Sequence, residues 1–199
     1  PLFEKSELIV KLDRYMFEHA CRWYRSHLEQ GGRPVSLAVN VSKAGLFQND
    51  FVDYYTDIKA KYSIPDRVME LEFTESILAA DTELFAELVV NLNARGFICS
   101  LDDFGSGYSS LNLLKNLPID VLKLDILFFQ KSRDIRRERI VVSNVINMAK
   151  ELDIKTIAEG VEDMDTVEFL RKAGCNVIQG YVFAKPMPQE DFEHLLTDN

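Results

Sequence analysis

The sequence predicts an α/β fold, and within that class a β/α barrel in preference to a doubly wound sheet. Helical and strand-like patterns alternate along all 199 residues, which implies parallel strands joined by crossover helices. Each of the six strand-like segments also closes on an acid, an amide or an ammonium at or near its C-terminal end. A barrel gathers its chemistry at that end of every strand, whereas a doubly wound sheet concentrates it at one switch point. No linker or low-complexity tract intervenes, so residues 1–199 read as one domain, long enough for a sizeable core.

The elements follow in order. Residues 6–29 carry Leu8, Leu12, Met16, Ala20 and Trp23 at helical spacing. "VSLAVNVS" (35–42) is a short β-rich run, residues 50–62 read as helix, and "RVMELEFTES" (67–76) as strand. Asp81 is placed to cap a helix running to about Ala94, with Gly96 as its stop. "FICSLDD" (97–103) is the next strand. After a glycine loop, a short helical piece around 110–116 leads into the strand "DVLKLD" (120–125). A long helix over 135–152 precedes the strand "KTIAEGVE" (155–162). Asp165 and Glu168 have capping-box spacing for a helix that ends at "AGC". "NVIQGYVFAKP" (176–186) reads as the last strand and "PQEDFEHLL" as a closing helix.

The strand ends supply, in turn, Asn40; Glu72 and Glu75; Asp102 and Asp103; Lys123 and Asp125; Glu159 and Glu162; and Gln179. Each has a structural explanation of its own. Asn40 suits an Asx turn, Glu72 and Lys123 could face solvent by strand alternation, Glu159 and Glu162 could sit before a helix N-terminus, and Gln179 could belong to a turn with Gly180. Their coincidence at six strand ends is what points to a site. Oxygen donors without histidine or thiolate favour Mg²⁺ or Mn²⁺ over Zn²⁺. Adjacent aspartates let one carboxylate bridge two ions while its neighbour holds the second. Two such ions, about 3.5–4 Å apart, suit in-line displacement at phosphorus.

Composition narrows the partners. With 32 acidic and 23 basic residues the formal charge is −9, which argues against nonspecific binding to DNA or RNA. An anionic ligand would therefore be held through cations. Hydrophobic residues make up 47% and charged residues 28%, ordinary values for a globular chain. Cys21, Cys99 and Cys175 are odd in number and far apart, which predicts free thiols in a reducing, cytoplasmic compartment. No apolar run reaches the roughly 18 residues of a membrane span, and no signal peptide opens the chain.

"VNVS", "ELEFTES", "LDDFGSGYSSL", "VLKLD", "AEGVE" and "QGYVFAKP" together resemble the EAL domain family in order and spacing, along the whole chain. That resemblance implies a modified TIM-type barrel with one antiparallel strand, and hydrolysis of cyclic di-GMP to linear pGpG. Carried over by position, Asn40, Glu72, Asp102 and Asp103 are similar to the family's metal ligands, with Asp102 as the bridge. Lys123 resembles the lysine that contacts the attacking water and the reacting phosphate. Glu159 is similar to the general base or an outer acid of the metal site, and Gln179 to the glutamine beside it. Glu75 resembles the acid anchoring the loop that carries the aspartates; that loop, with Gly105 and Gly107, is implicated in metal binding and in a homodimer contact. The resemblance starts after the Glu-Ala-Leu segment. The expectation is a trimmed domain, incomplete at the N-terminus, whose first two strands, first metal-ligand glutamate and a nucleotide-holding arginine lie upstream. Sensory or GGDEF-type modules are expected in the parent. Two other readings stand beside the phosphodiesterase: a non-catalytic cyclic di-GMP receptor, and a barrel hydrolase of another phosphodiester.

Overall fold

A computed structural model of the chain describes residues 7–78, 82–105, 114–125 and 134–197. Six strands lie in one sheet in chain order: β1 (Leu37–Val41), β2 (Met69–Thr74), β3 (Ile98–Phe104), β4 (Val121–Leu124), β5 (Lys155–Ala158) and β6 (Val177–Ile178). The registered pairs β1/β2, β3/β4, β4/β5 and β5/β6 are all parallel. A parallel sheet in strict sequence order has no switch point, so it is the strand order of a β/α barrel and not of a doubly wound sheet. The chain divides into two compact units: residues 1–73, 90–98 and 186–199, and residues 74–89 and 99–185.

In the first unit, α1 (Glu7–Glu29) buries Phe17, Cys21 and Tyr24, with Asp13 one turn earlier on the same stripe. Phe17 meets Tyr55 with ring centroids 4.5 Å apart and Phe97 at 6.1 Å. Leu8, Leu12 and Met16, the apolar positions expected from periodicity, are exposed. The helix carries apolar residues on two faces, and spacing alone does not say which one packs. Trp23, on the outer face, meets α8 (Gln189–Thr197), donating its indole N–H to Glu193 Oε1 at 2.6 Å. α2 (Lys43–Leu46) and α3 (Phe51–Lys61) follow β1. The buried Lys59 of α3 donates to Asp66 and to the Arg95 carbonyl (2.9 Å), closing the turn that leads into β3.

The second unit holds α4 (Glu75–Leu78), most of α5 (Thr82–Ala94), β3 to β6, α6 (Ile135–Glu151) and α7 (Met164–Ala173). Its core includes Phe85, Leu101, Phe104, Leu122, Leu124, Val142, Ile146, Val167 and Leu170. All four residues of β4 are buried, as expected for a strand covered on both faces. Polar side chains fasten the strand starts: Asp120 Oδ2 accepts from the Cys99 N–H at 2.8 Å, and Asn176 Oδ1 accepts from the Thr156 N–H at 2.8 Å. The N-terminal ends of the strands thus carry structural ties, leaving the opposite ends for chemistry.

Three sequence expectations need correction. Asp163, not Asp165, caps α7, with its Oδ1 accepting from the Thr166 N–H at 2.8 Å, while Glu168 pairs with Lys172. β5 stops at Ala158, because Gly160 adopts a left-handed φ of 67°. The last strand is two residues long, not eleven. Beyond it Gly180 packs on Val161 so closely that a Cβ would lie 2.1 Å from the Val161 carbonyl oxygen, and the Phe183 N–H bonds back to the Gly180 carbonyl, turning the chain. Asp81, Gly107 and residues 110–113 of the expected helical piece lie outside the described residues.

Cys21 and Cys99 are buried and Cys175 half-buried, all as free thiols. Among the described residues no helix is long and apolar enough to cross a membrane.

Candidate active site

In a regular strand, consecutive side chains point to opposite faces. Asp102 and Asp103 could not then address one site. The structure resolves this with an irregularity in β3: Leu101 pairs with Leu122, and the next registered pair is Phe104 with Leu124. On β3 the step is three residues and on β4 it is two, as in a β-bulge, which re-aims side chains at functional sites. Asp103 takes up the extra residue with a left-handed φ of 58°, an uncommon conformation for a residue with a Cβ. Gly105 follows at φ 96°, and the buried Phe104 fixes the segment from the core side.

The two aspartates meet β4 and β5 through Lys123. Its side chain is only 7% exposed, and its Nζ lies 2.8 Å from Glu159 Oε1 and 3.5 Å from Asp102 Oδ1. The Asp103 N–H donates to Asp102 Oδ1 at 2.9 Å, holding the first carboxylate in place. Burial, reinforced by the like charges of Asp102 and Asp125, pushes the Asp103 carboxyl above the ordinary aspartate range, and Lys123 opposes this in part. Asp103 and Asp125 are joined by a side-chain hydrogen bond. Among the described residues, the Lys123 ammonium therefore stands with the carboxyl groups of Asp102, Asp103, Asp125 and Glu159.

The structure thus brings Asp102, Asp103, Lys123 and Glu159 together in the second unit. It adds Asp125, a strand-end residue not among those carried over from the resemblance. The signal for it is present in the sequence: Asp125 follows Lys123 by two, the spacing of residues on one face of a strand. Glu162 is exposed in the loop beyond β5. Gln179 is exposed directly after β6, its backbone N–H bonded to the Ala158 carbonyl (2.8 Å) and its carbonyl to the Val161 N–H (3.1 Å). Glu75 is half-buried at the first position of α4. In the first unit Asn40 and Glu72 are register partners at the ends of β1 and β2. Glu72 and Lys123 are each about 6% exposed, which excludes the solvent-facing alternative for both; Asn40 is exposed.

Among the described residues no three His, Cys, Asp or Glu side chains are set in ready metal-binding geometry. In donor chemistry the set nevertheless fits a hard divalent cation. It offers carboxylate oxygens in excess of the single lysine, and the raised Asp103 reports a surplus of negative charge that a cation would relieve.

The profile of the EAL domain matches residues 1–186. The chain belongs to the EAL domain family. It is 36% identical over 190 residues to the bifunctional diguanylate cyclase/cyclic di-GMP phosphodiesterase MucR of Pseudomonas aeruginosa, an alignment covering 96% of this chain and 28% of MucR. The cyclic di-GMP phosphodiesterase NbdA of the same organism is 34% identical over 195 residues, covering 98% of this chain and 25% of NbdA. This EAL chain therefore spans about a quarter of the length of these curated relatives. A solved MucR phosphodiesterase in complex with c-di-GMP matches with a TM-score of 0.88 at 36% identity, covering 96% of this chain and 78% of that one. The EAL domain of Mycobacterium smegmatis DcpA matches with a TM-score of 0.89 at 32% identity, covering 96% and 86%. The fold is accordingly that of EAL domains, a modified TIM-type barrel.

Proposed function

We propose that this EAL domain hydrolyses cyclic di-GMP to linear 5′-pGpG. The observation that carries the reading is the Asp102–Asp103–Lys123–Asp125–Glu159 cluster, built at strand ends in a chain whose relatives are named as cyclic di-GMP phosphodiesterases. Asp102, Asp103 and Glu159, with Asn40 and Glu72, are the proposed holders of divalent cations, Mg²⁺ or Mn²⁺. Such cations supply Lewis-acid stabilisation of the phosphoryl charge and acidify water.

The chain's own groups have separate tasks. Water forms a bond to phosphorus and the bond to the 3′ oxygen breaks, the departing oxygen ending as the ribose hydroxyl. Lys123 Nζ, held by Glu159 at 2.8 Å, places a fixed positive charge beside the phosphoryl oxygens, where charge grows in the transition state. Glu159 takes the proton of the attacking water as general base and passes it to solvent, from which the departing 3′ oxygen takes up its own. Gln179 orients that water, and Glu75 with Gly105 and Gly107 supports the loop carrying the aspartates. A homodimer contact through the loop after Asp103, fusion to sensory or GGDEF-type modules, and a cytoplasmic setting, which suits three free thiols, complete the proposal.

Chromatography of products from cyclic di-GMP incubated with Mg²⁺ or Mn²⁺ tests it. Appearance of pGpG, abolished by Asp102→Asn, is the expected result. Binding without pGpG would show a receptor instead, and undiminished hydrolysis by Asp102→Asn would overturn the role given to that carboxylate.

A further inference from the structure

Asp13 is a carboxylate in the wrong place for stability alone. It lies on the core stripe of α1, one turn before Phe17 in the series completed by Cys21 and Tyr24, and is 8% exposed. A buried charge is costly unless it is well hydrogen-bonded. Asp13 meets this requirement at a single point, the junction between β1 and α2. Its Oδ2 accepts from the Ser42 N–H at 3.0 Å and from the Ser42 hydroxyl at 2.5 Å. The same hydroxyl oxygen accepts from the Gly45 N–H at 3.0 Å, capping α2. α2 approaches so closely that a Cβ on Gly45 would lie 2.6 Å from Asp13 Oδ2. The four-residue α2 is too short to define a turn by itself.

What this junction controls is the end of β1. Ser42 follows Asn40 by two residues, and its extended backbone (φ −72°, ψ 152°) continues the strand path. Asn40 is exposed and is the register partner of Glu72, so the course of the strand end sets its direction. Its backbone is held from below by the β1/β2 pairing and from above by Ser42.

We propose that Asp13 is a positioning residue: through Ser42 it fixes the end of β1 and so aims Asn40 at the divalent cation. This rests on the reading of Asn40 as a metal ligand under the proposed function. Partners standing behind a ligand typically account for about 10–100-fold in metal affinity.

The test is Mn²⁺ affinity, read from the electron paramagnetic resonance signal of free Mn²⁺, with thermal unfolding followed in parallel. Asp13→Ala is expected to weaken Mn²⁺ binding about 10-fold. Asp13→Asn keeps an oxygen acceptor for the Ser42 N–H and should recover most of the loss, whereas Asp13→Leu, which fills the space without an acceptor, should not. Ser42→Ala should weaken binding in the same direction, and adding it to Asp13→Ala should cost little more, because both act through one link. Glu18→Ala, removing an α1 acid that instead bonds Lys61 and Tyr62, should leave affinity unchanged. If Asp13→Ala fails to fold, Asp13→Asn combined with Ser42→Ala carries the test. Wild-type Mn²⁺ affinity in the Asp13 and Ser42 variants, with Asn40→Ala still weakened, would overturn the positioning role alone. Wild-type affinity in Asn40→Ala would overturn the ligand reading and the positioning role with it.

Discussion

Replacing Lys123 with methionine keeps the stem and removes the ammonium, and its consequences can be worked from two distances. At an effective dielectric constant near 20, a unit charge pair is worth about 6 kcal/mol at the 2.8 Å to Glu159 and about 5 kcal/mol at the 3.5 Å to Asp102. Desolvation of the 7%-exposed lysine offsets much of this. Breaking a buried pair by deleting one member typically costs about 3–5 kcal/mol. For a chain of this length that lowers Tm by about 10 °C. The sign of the metal dependence is more diagnostic. Removing the ammonium takes one positive charge from beside Asp102 and Glu159, so Mn²⁺ should stabilise Lys123→Met more than the wild type. A cation at a hundred times its Kd returns about 2.7 kcal/mol if bound only by the folded state. Differential scanning fluorimetry across a Mn²⁺ titration, with product chromatography, measures both. Turnover should fall by at least about 100-fold even when the fold is restored. Equal stability of the two proteins without metal, or equal Mn²⁺ increments, would refute the view that Lys123 is the charge on which this cluster is built.

Three further outcomes follow from other parts of the chain. Asp163→Ala should cost about 1 kcal/mol by uncapping α7. The Asp163 carboxyl is held below its ordinary value first by the Thr166 N–H and then by the Thr166 hydroxyl. Its contribution is therefore full above the unfolded aspartate value near 4, and disappears as pH falls through the lower folded value; urea unfolding should show Asp163→Asn without that acid-side slope. Gly180→Ala puts a methyl 2.1 Å from a backbone carbonyl that cannot swing away; a loss of about 2–3 kcal/mol and reduced turnover, through the adjoining Gln179, are expected in unfolding and product assays. Native-state labelling with a thiol reagent should modify Cys175 well before Cys21, whose thiol is pushed up to about 12 by burial.

The alternation of elements and the polar strand ends were legible in the sequence because both follow from short-range periodicity. Glu72 and Lys123 show where that legibility stops: alternation allowed either to face solvent, and only the covering elements decide that both are buried. For α1 the same limit produced an error of face, since its outer apolar positions are as regular as Phe17, Cys21 and Tyr24. The last strand was overextended because the β-rich letters of "YVF" carry no mark of Gly180 pressed on Val161. The cap of α7 was displaced by two residues because two aspartates with equally good spacing compete, and the backbone φ of −132° at Asp163 settles it. Asp125 needed β3 as well as β4, since its partner Asp103 is 22 positions earlier in the chain.

The extra residue in β3 makes the cluster a matter of counting as well as of identity. Substituting Asp103 would remove one oxygen pair and leave the strand's numbering intact. Excising it would return β3 to the two-residue step of β4, so Phe104 would stay opposite Leu124 while the backbone irregularity that re-aims the acidic pair would be gone. Library designs that permit a single-codon deletion at this point should therefore return folded but silent proteins, as should those restricted to exchanges.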